Sequence, residues 1–151
     1  MVDRLERFSF AIAQVSRGWH RLAAEELKCY GLKGPHAVYL TTLYAHPDGV
    51  TAAQLGELCG KDKADVSRMV TELADKGFVQ KELEGNKTYR ARIRLTEAGI
   101  AAARHVRERA IVAVEHAGRG FSEEHREIFY EVLDTIVGNL HVLSRDGLPQ
   151  E

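Results

Sequence analysis

The feature that most constrains this chain is a change of period between residues 62 and 95. Over Asp62–Lys76 the apolar residues Val66, Met69, Val70 and Leu73 fall at i, i+3, i+4 and i+7, which places them on one face of a helix. Asp62 is suited to cap that helix, and Asp65 sits in its first turn, where the helix dipole favours an acid. Gly77 supplies the left-handed stop. From Phe78 the pattern alternates. Phe78–Leu83 reads as a strand, Glu84-Gly85-Asn86-Lys87 as a tight turn, and Tyr89–Leu95 as the returning strand. On that strand Tyr89, Ala91, Ile93 and Leu95 share one face, and Arg90, Arg92 and Arg94 the other.

The flanks are helical. Leu5, Phe8, Ile12, Val15, Trp19 and Leu22 step by three and four, predicting a long helix over about Asp3–Tyr30. Its stripe is narrow, close to the coiled-coil period, so it wants a partner helix. Gly31 and Gly34-Pro35 end it, and Pro35 suits the first turn of the next, which carries Val38, Leu40, Leu43 and Tyr44. His46-Pro47-Asp48-Gly49 is a turn cluster. Thr51 and Gln54 form a capping box that opens a short helix with Leu55 and Leu58, broken at Gly60. Thr96 caps an alanine-rich helix to about His116, and Ser122 caps a last one carrying Phe129, Val132, Leu133, Ile136, Val137 and Leu140.

Two short helices joined by a tight turn and followed by a hairpin make a winged helix-turn-helix. The expected class is mainly α with a small β-hairpin wing. The sequence reads as one domain over residues 1–151: a DNA-binding lobe over 35–96, with dimerisation helices over 1–34 and 97–151.

Composition sets outer limits. At 44% hydrophobic and 28% charged residues the chain reads as globular rather than disordered. No apolar run approaches the roughly 18 residues that would cross a bilayer, and no signal-peptide core opens the chain, so the expectation is a cytoplasmic protein without a membrane partner. The net charge of -1 argues against nucleic acid, but Lys61–Arg94 holds nine bases against six acids. Cys29 and Cys59 lie far apart and form no CxxC pair, which reads as reduced thiols. The seven histidines show no zinc-ligand spacing; His105 and His116 are too far apart along one helix to share an ion. No metal or cofactor is expected. There is no P-loop, no Gly-x-Ser-x-Gly elbow and no HExxH, so no enzyme is expected.

The stretch VTAAQLGELCGKDKADVSRMVTELADKG, Val50–Gly77, together with the hairpin and Leu95-Thr96-Glu97-Ala98-Gly99, resembles the MarR family of regulators. The resemblance covers essentially the whole chain. It implies a homodimer paired through terminal helices, a recognition helix in the major groove, a wing near the minor groove, and release from DNA by a small phenolic or aromatic compound. Two positions depart from the family's habits. Ala64-Asp65 stands where Ser-Thr is frequent, and Lys87, Thr88 and Tyr89 stand where the wing often carries Asp-Arg-Arg.

The residues expected to carry the function follow. Lys63, Ala64, Ser67, Arg68 and Thr71 point away from the apolar stripe. Arg68 can grip a guanine edge or a phosphate with two hydrogen bonds. Ser67 and Thr71 can reach a base or a phosphate. Lys61 and Lys63 sit near the helix N-terminus, where charge and dipole attract phosphate. Lys87, Arg90 and Arg92 are the wing candidates, with Arg90 nearest the tip, and pairing with acids such as Glu82 is the competing role for this row of arginines. Trp19, Phe8 and Tyr39 are candidates for an apolar ligand pocket, and His20 and His36 for polar contact to a bound anion; packing in the core is the simpler role for the aromatics. The expected function is a repressor on a pseudo-palindromic double-stranded DNA operator, released by a small ligand. The alternatives are a redox regulator acting through Cys29 or Cys59, and a helical dimerisation module that binds no DNA.

Overall fold

The structure is a computed structural model and describes residues 3–85 and 87–150, with the side chains of Glu84, Lys87, Thr88 and Tyr89 outside that description. The chain divides into two compact units, Met1–Ile111 and Val112–Glu151. Where the sequence reads as one domain, the boundary falls inside a helix.

The first unit begins with α1, Arg4–Leu27, whose N-cap Asp3 accepts from the Leu5 amide. The chain then tightens into a 3-10 turn, Lys28–Tyr30. α2 spans His36–Tyr44, α3 Ala52–Cys59 and α4 Lys63–Asp75. The capping box is present in both directions: the Gln54 amide donates to Thr51 Oγ1 at 3.2 Å, and the Thr51 amide to Gln54 Oε1 at 2.9 Å. The Asp65 amide donates to Asp62 Oδ1 at 2.8 Å, so α4 starts where its sequence says. Each such cap contributes about 1 kcal/mol. α4 stops before Gly77, whose φ of 82° is the left-handed conformation that side chains resist.

The hairpin pairs β1, Val79–Glu84, with β2, Lys87–Leu95, antiparallel, with Val79 opposite Leu95, Lys81 opposite Ile93 and a bulge between Glu82 and Glu84. The expected turn falls partly on Asn86, which lies outside the described residues. One addition was not expected from sequence. Val50 forms a bridge with Ile93, exchanging hydrogen bonds of 3.0 and 2.7 Å, so the start of α3 is stitched to the hairpin.

Leu27, Leu40, Leu43, Leu55, Leu73 and Ile93 are buried together with the whole expected stripe of α4. Each fully buried Leu or Ile contributes about 1.5–3 kcal/mol relative to exposure. On α2 the inward residues are His36, Tyr39, Leu40 and Leu43, while Val38 faces solvent.

α5, Glu97–Ala117, opens on a close approach. The Thr96 hydroxyl donates to the Gly77 carbonyl at 2.6 Å and accepts from the Gly99 amide at 3.1 Å. The Thr96 amide donates to the Phe78 carbonyl at 3.0 Å. A side chain at Gly99 would overlap that same carbonyl. The Leu95–Gly99 stretch is therefore the knot that ties the hairpin to α5. Further along, Glu26 on α1 accepts from Arg109 Nε at 3.0 Å and bonds His105 Nε2 at 3.0 Å. The Arg109 guanidinium, with His105 in support, holds the Glu26 carboxyl below its usual range against a smaller opposing effect of burial.

In the second unit, α6 runs Glu123–Asp146 with Ser122 accepting from the His125 amide at 3.2 Å. Arg126 lies 3.8 Å from both Glu115 and Glu123. No described residue of α6 is buried. Among the described residues no helix is long and apolar enough to cross a membrane.

Candidate nucleic-acid interface

The buried stripe of α4 fixes what its other face presents. Lys61, Lys63, Ala64, Ser67, Arg68 and Thr71 are all exposed, as the sequence expectation requires. The capped N-terminus of α4 and its two neighbouring lysines therefore open to the same solvent as Arg68.

Two residues of α2 reach this helix from behind. Tyr39 is fully buried, and its hydroxyl donates to Asp65 Oδ2 at 2.6 Å. Asp65 Oδ1 in turn accepts from Arg68 Nη2 at 2.6 Å. The Tyr39 bond is the main cause of a lowered Asp65 pKa, with Arg68 and Lys61 adding to it. Burial first, and the Asp65 carboxylate second, push the Tyr39 phenol far above its ordinary range, so it stays a donor. His36, one turn earlier and 1% exposed, makes the second connection. Its Nδ1 accepts from the Lys33 amide at 3.0 Å, which puts the ring proton on Nε2, where it is donated to Glu72 at 2.8 Å.

These bonds decide the ligand candidates. Both nitrogens of His36 and the hydroxyl of Tyr39 are engaged inside the protein, so neither offers a free polar atom to an anion. They are core residues that hold α4. Trp19 is 42% exposed and His20 is also exposed; the His20 ring bonds the Ser16 carbonyl of its own helix at 2.7 Å. The structure does not bring the four together as one open site. Asp65 and Glu72, the acceptors, were not singled out as partners from sequence. A signal existed: His36 and Tyr39 are three apart and Asp65 and Glu72 seven apart, so each pair shares one helical face.

In the wing, Arg94 pairs with Glu82 at 3.0 Å and donates to the Asp48 carbonyl at 3.3 Å. Arg92 donates to the Gly49 carbonyl at 3.2 Å while remaining exposed. These two arginines therefore fasten the turn before α3 to the hairpin. Arg90 is exposed and lies towards the tip. The Lys87 side chain lies outside the described residues.

Burial pushes the Cys59 thiol up, an effect larger than the opposing Thr42 bond and Lys61 charge. That is the reverse of what a reactive thiolate needs. Cys29 is exposed, its thiol directed to the Glu26 carbonyl at 3.7 Å. Among the described residues no group of three His, Cys, Asp or Glu side chains is placed to hold a metal.

Residues 30–87, which contain α2 through the start of β2, match the MarR family model. That segment is similar to the MarR family. The fold is shared with several solved structures. A MarR transcriptional regulator from Methanosarcina mazei is 22% identical, with 92% of each chain covered and a TM-score of 0.79. The S. aureus MepR–DNA complex is 20% identical over 87% of this chain and 97% of that one, with a TM-score of 0.80. A MarR-family regulator from Listeria monocytogenes, complexed with a 26mer DNA, is 19% identical over 100% and 99%, with a TM-score of 0.83.

Proposed function

We propose that this chain is a homodimeric, sequence-specific double-stranded-DNA-binding transcriptional regulator, a repressor that a small aromatic ligand releases from a pseudo-palindromic operator. One observation carries the reading: α4 buries one stripe and leaves Lys61, Lys63, Ser67, Arg68 and Thr71 on the opposite, exposed face. A helix so presented can lie in a major groove with Arg68 at a base edge and the lysines on phosphates. That MepR and the Listeria protein are held in complexes with DNA supports the same reading here. Arg90 and Lys87 are the wing residues for the minor groove, with Arg92 shared between DNA and the Gly49 carbonyl. The second copy is called for by α1, where Leu5, Phe8, Ile12, Val15, Trp19 and Leu22 are all exposed, a stripe that water alone would leave unfavourably wetted. Release requires that the ligand favour a form whose recognition helices no longer match the half-sites. Trp19 and His20 are the residues through which we expect it to enter.

The test is fluorescence anisotropy on duplex DNA from upstream of the chain's own gene, across a salt series. Selective binding over random duplex, with a steep salt slope, is expected because released counterions set that slope. Arg68→Ala should cost about 1–3 kcal/mol, and Lys63→Ala should lower the slope by about one. Benzoate, as the simplest aromatic acid, and peroxide then separate ligand release from thiol oxidation. Unchanged binding by Arg68→Glu would reject DNA reading through α4.

A further inference from the structure

The Asp65 carboxylate lies among groups that face DNA on the reading above, where an anion should be repelled by phosphate. Its two oxygens explain its presence. Oδ2 is held by the hydroxyl of Tyr39, a side chain that is completely buried and cannot swing. Oδ1 holds Nη2 of Arg68, whose side chain is otherwise 64% exposed. An exposed arginine samples many rotamers and loses that freedom when it binds. Here a chain of two bonds of 2.6 Å each runs from the core of α2 to the guanidinium. The tether uses one of the five guanidinium N–H groups, so the remaining donors can still form a two-point contact.

We propose that Asp65 and Tyr39 are positioning residues for DNA reading. They fix Arg68 in a geometry suited to the two acceptors of one guanine, and so set sequence selectivity without touching DNA. The proposal rests on the DNA-reading assignment of α4. It makes a demand that a structural role alone does not. Asp65 is repulsive to every phosphate, so removing its charge strengthens binding to random DNA while weakening discrimination at one base pair. A loss of folded protein moves both in the same direction.

The experiment starts with the full-length protein and a duplex library with a randomised core. The selected duplex, and versions changed at each position, are then measured by anisotropy. Arg68→Ala locates the base pair it reads. Asp65→Ala is expected to lower discrimination at that pair roughly fivefold to tenfold, within the span a good two-point contact supplies. Its affinity for random duplex is expected to rise, most at low salt. Tyr39→Phe should lower discrimination at the same pair by a smaller factor. Asp65→Asn keeps an acceptor for the Tyr39 hydroxyl, so it guards against simple loss of folding, but it then turns an amide N–H group towards Arg68, so discrimination at that pair should fall as it does in Asp65→Ala. Urea melts of each variant confirm that folded protein is being compared. If Asp65→Ala leaves the ratio at that pair unchanged, or moves preference at a different pair, the positioning role is overturned while DNA reading stands. A wild-type protein that binds every duplex alike removes the DNA-reading assignment, and this inference with it.

Discussion

Replacing Gly99 by alanine sets two well-understood effects against each other. Alanine is the better helix former by at most about 1 kcal/mol, and Gly99 lies in the first turn of α5. By propensity alone the variant should be more stable. The structure says the opposite. A Cβ there would overlap the Phe78 carbonyl oxygen, with the Phe78 carbon at 3.0 Å and Leu95 Cδ2 at 3.1 Å. The obstacle is backbone, so no rotamer change relieves it. That carbonyl is also held by the Thr96 amide, and Thr96 bonds Gly77 and Gly99. Overpacking of this kind costs about 1–3 kcal/mol, and a backbone obstacle in a bonded knot belongs at the upper end. Setting about 3 kcal/mol of strain against about 1 of propensity leaves a net loss of about 2 kcal/mol. For a chain of this size that lowers Tm by about 4–8 °C. Urea and thermal melts followed by circular dichroism would measure it. Gly138, inside α6 with nothing within 4 Å of a built Cβ, is the matched control and should gain about 0.5–1 kcal/mol as alanine. A Gly99→Ala protein that gains as the control does would refute the claim that α5 needs glycine to reach the Phe78 carbonyl.

Further outcomes follow from the same geometry. Thr51→Ala removes one half of the capping box and should cost about 1 kcal/mol in a urea melt. Asp65 and Glu26 both have lowered pKa values, so their charged forms stabilise the fold above the usual carboxylate range, and that contribution is lost as pH falls through the lowered values. An acid titration should show stability declining below about pH 4, and Arg109→Ala should blunt that decline, since Arg109 is the first cause of the Glu26 shift. Trp19→Glu together with Val15→Lys places charges on the exposed stripe of α1 and should convert the dimer of our proposal to monomer in sedimentation.

What the sequence determined by itself is local. Thr51 with Gln54, Asp62, Ser122 and Gly77 act on backbone groups within three or four residues, so they mark helix ends whatever lies elsewhere. The same locality made the α4 stripe legible and, with it, the outward face carrying Ser67 and Arg68. Partnerships between distant polar groups were not legible in this way. The Val50 bridge to Ile93, Tyr39 with Asp65, His36 with Glu72, and Glu26 with His105 and Arg109 each join segments far apart in the chain. A side chain such as Tyr39 reads equally well as core, pocket or surface until its neighbours are known. Only the packing of α2 behind α4 decided that its hydroxyl would be buried, and a buried hydroxyl must find an acceptor. That requirement turned Tyr39 and His36 from ligand candidates into supports for the helix that reads DNA in our proposal. It also divided the wing arginines: Arg94 and Arg92 became fasteners because the turn at Asp48 and Gly49 came within their reach.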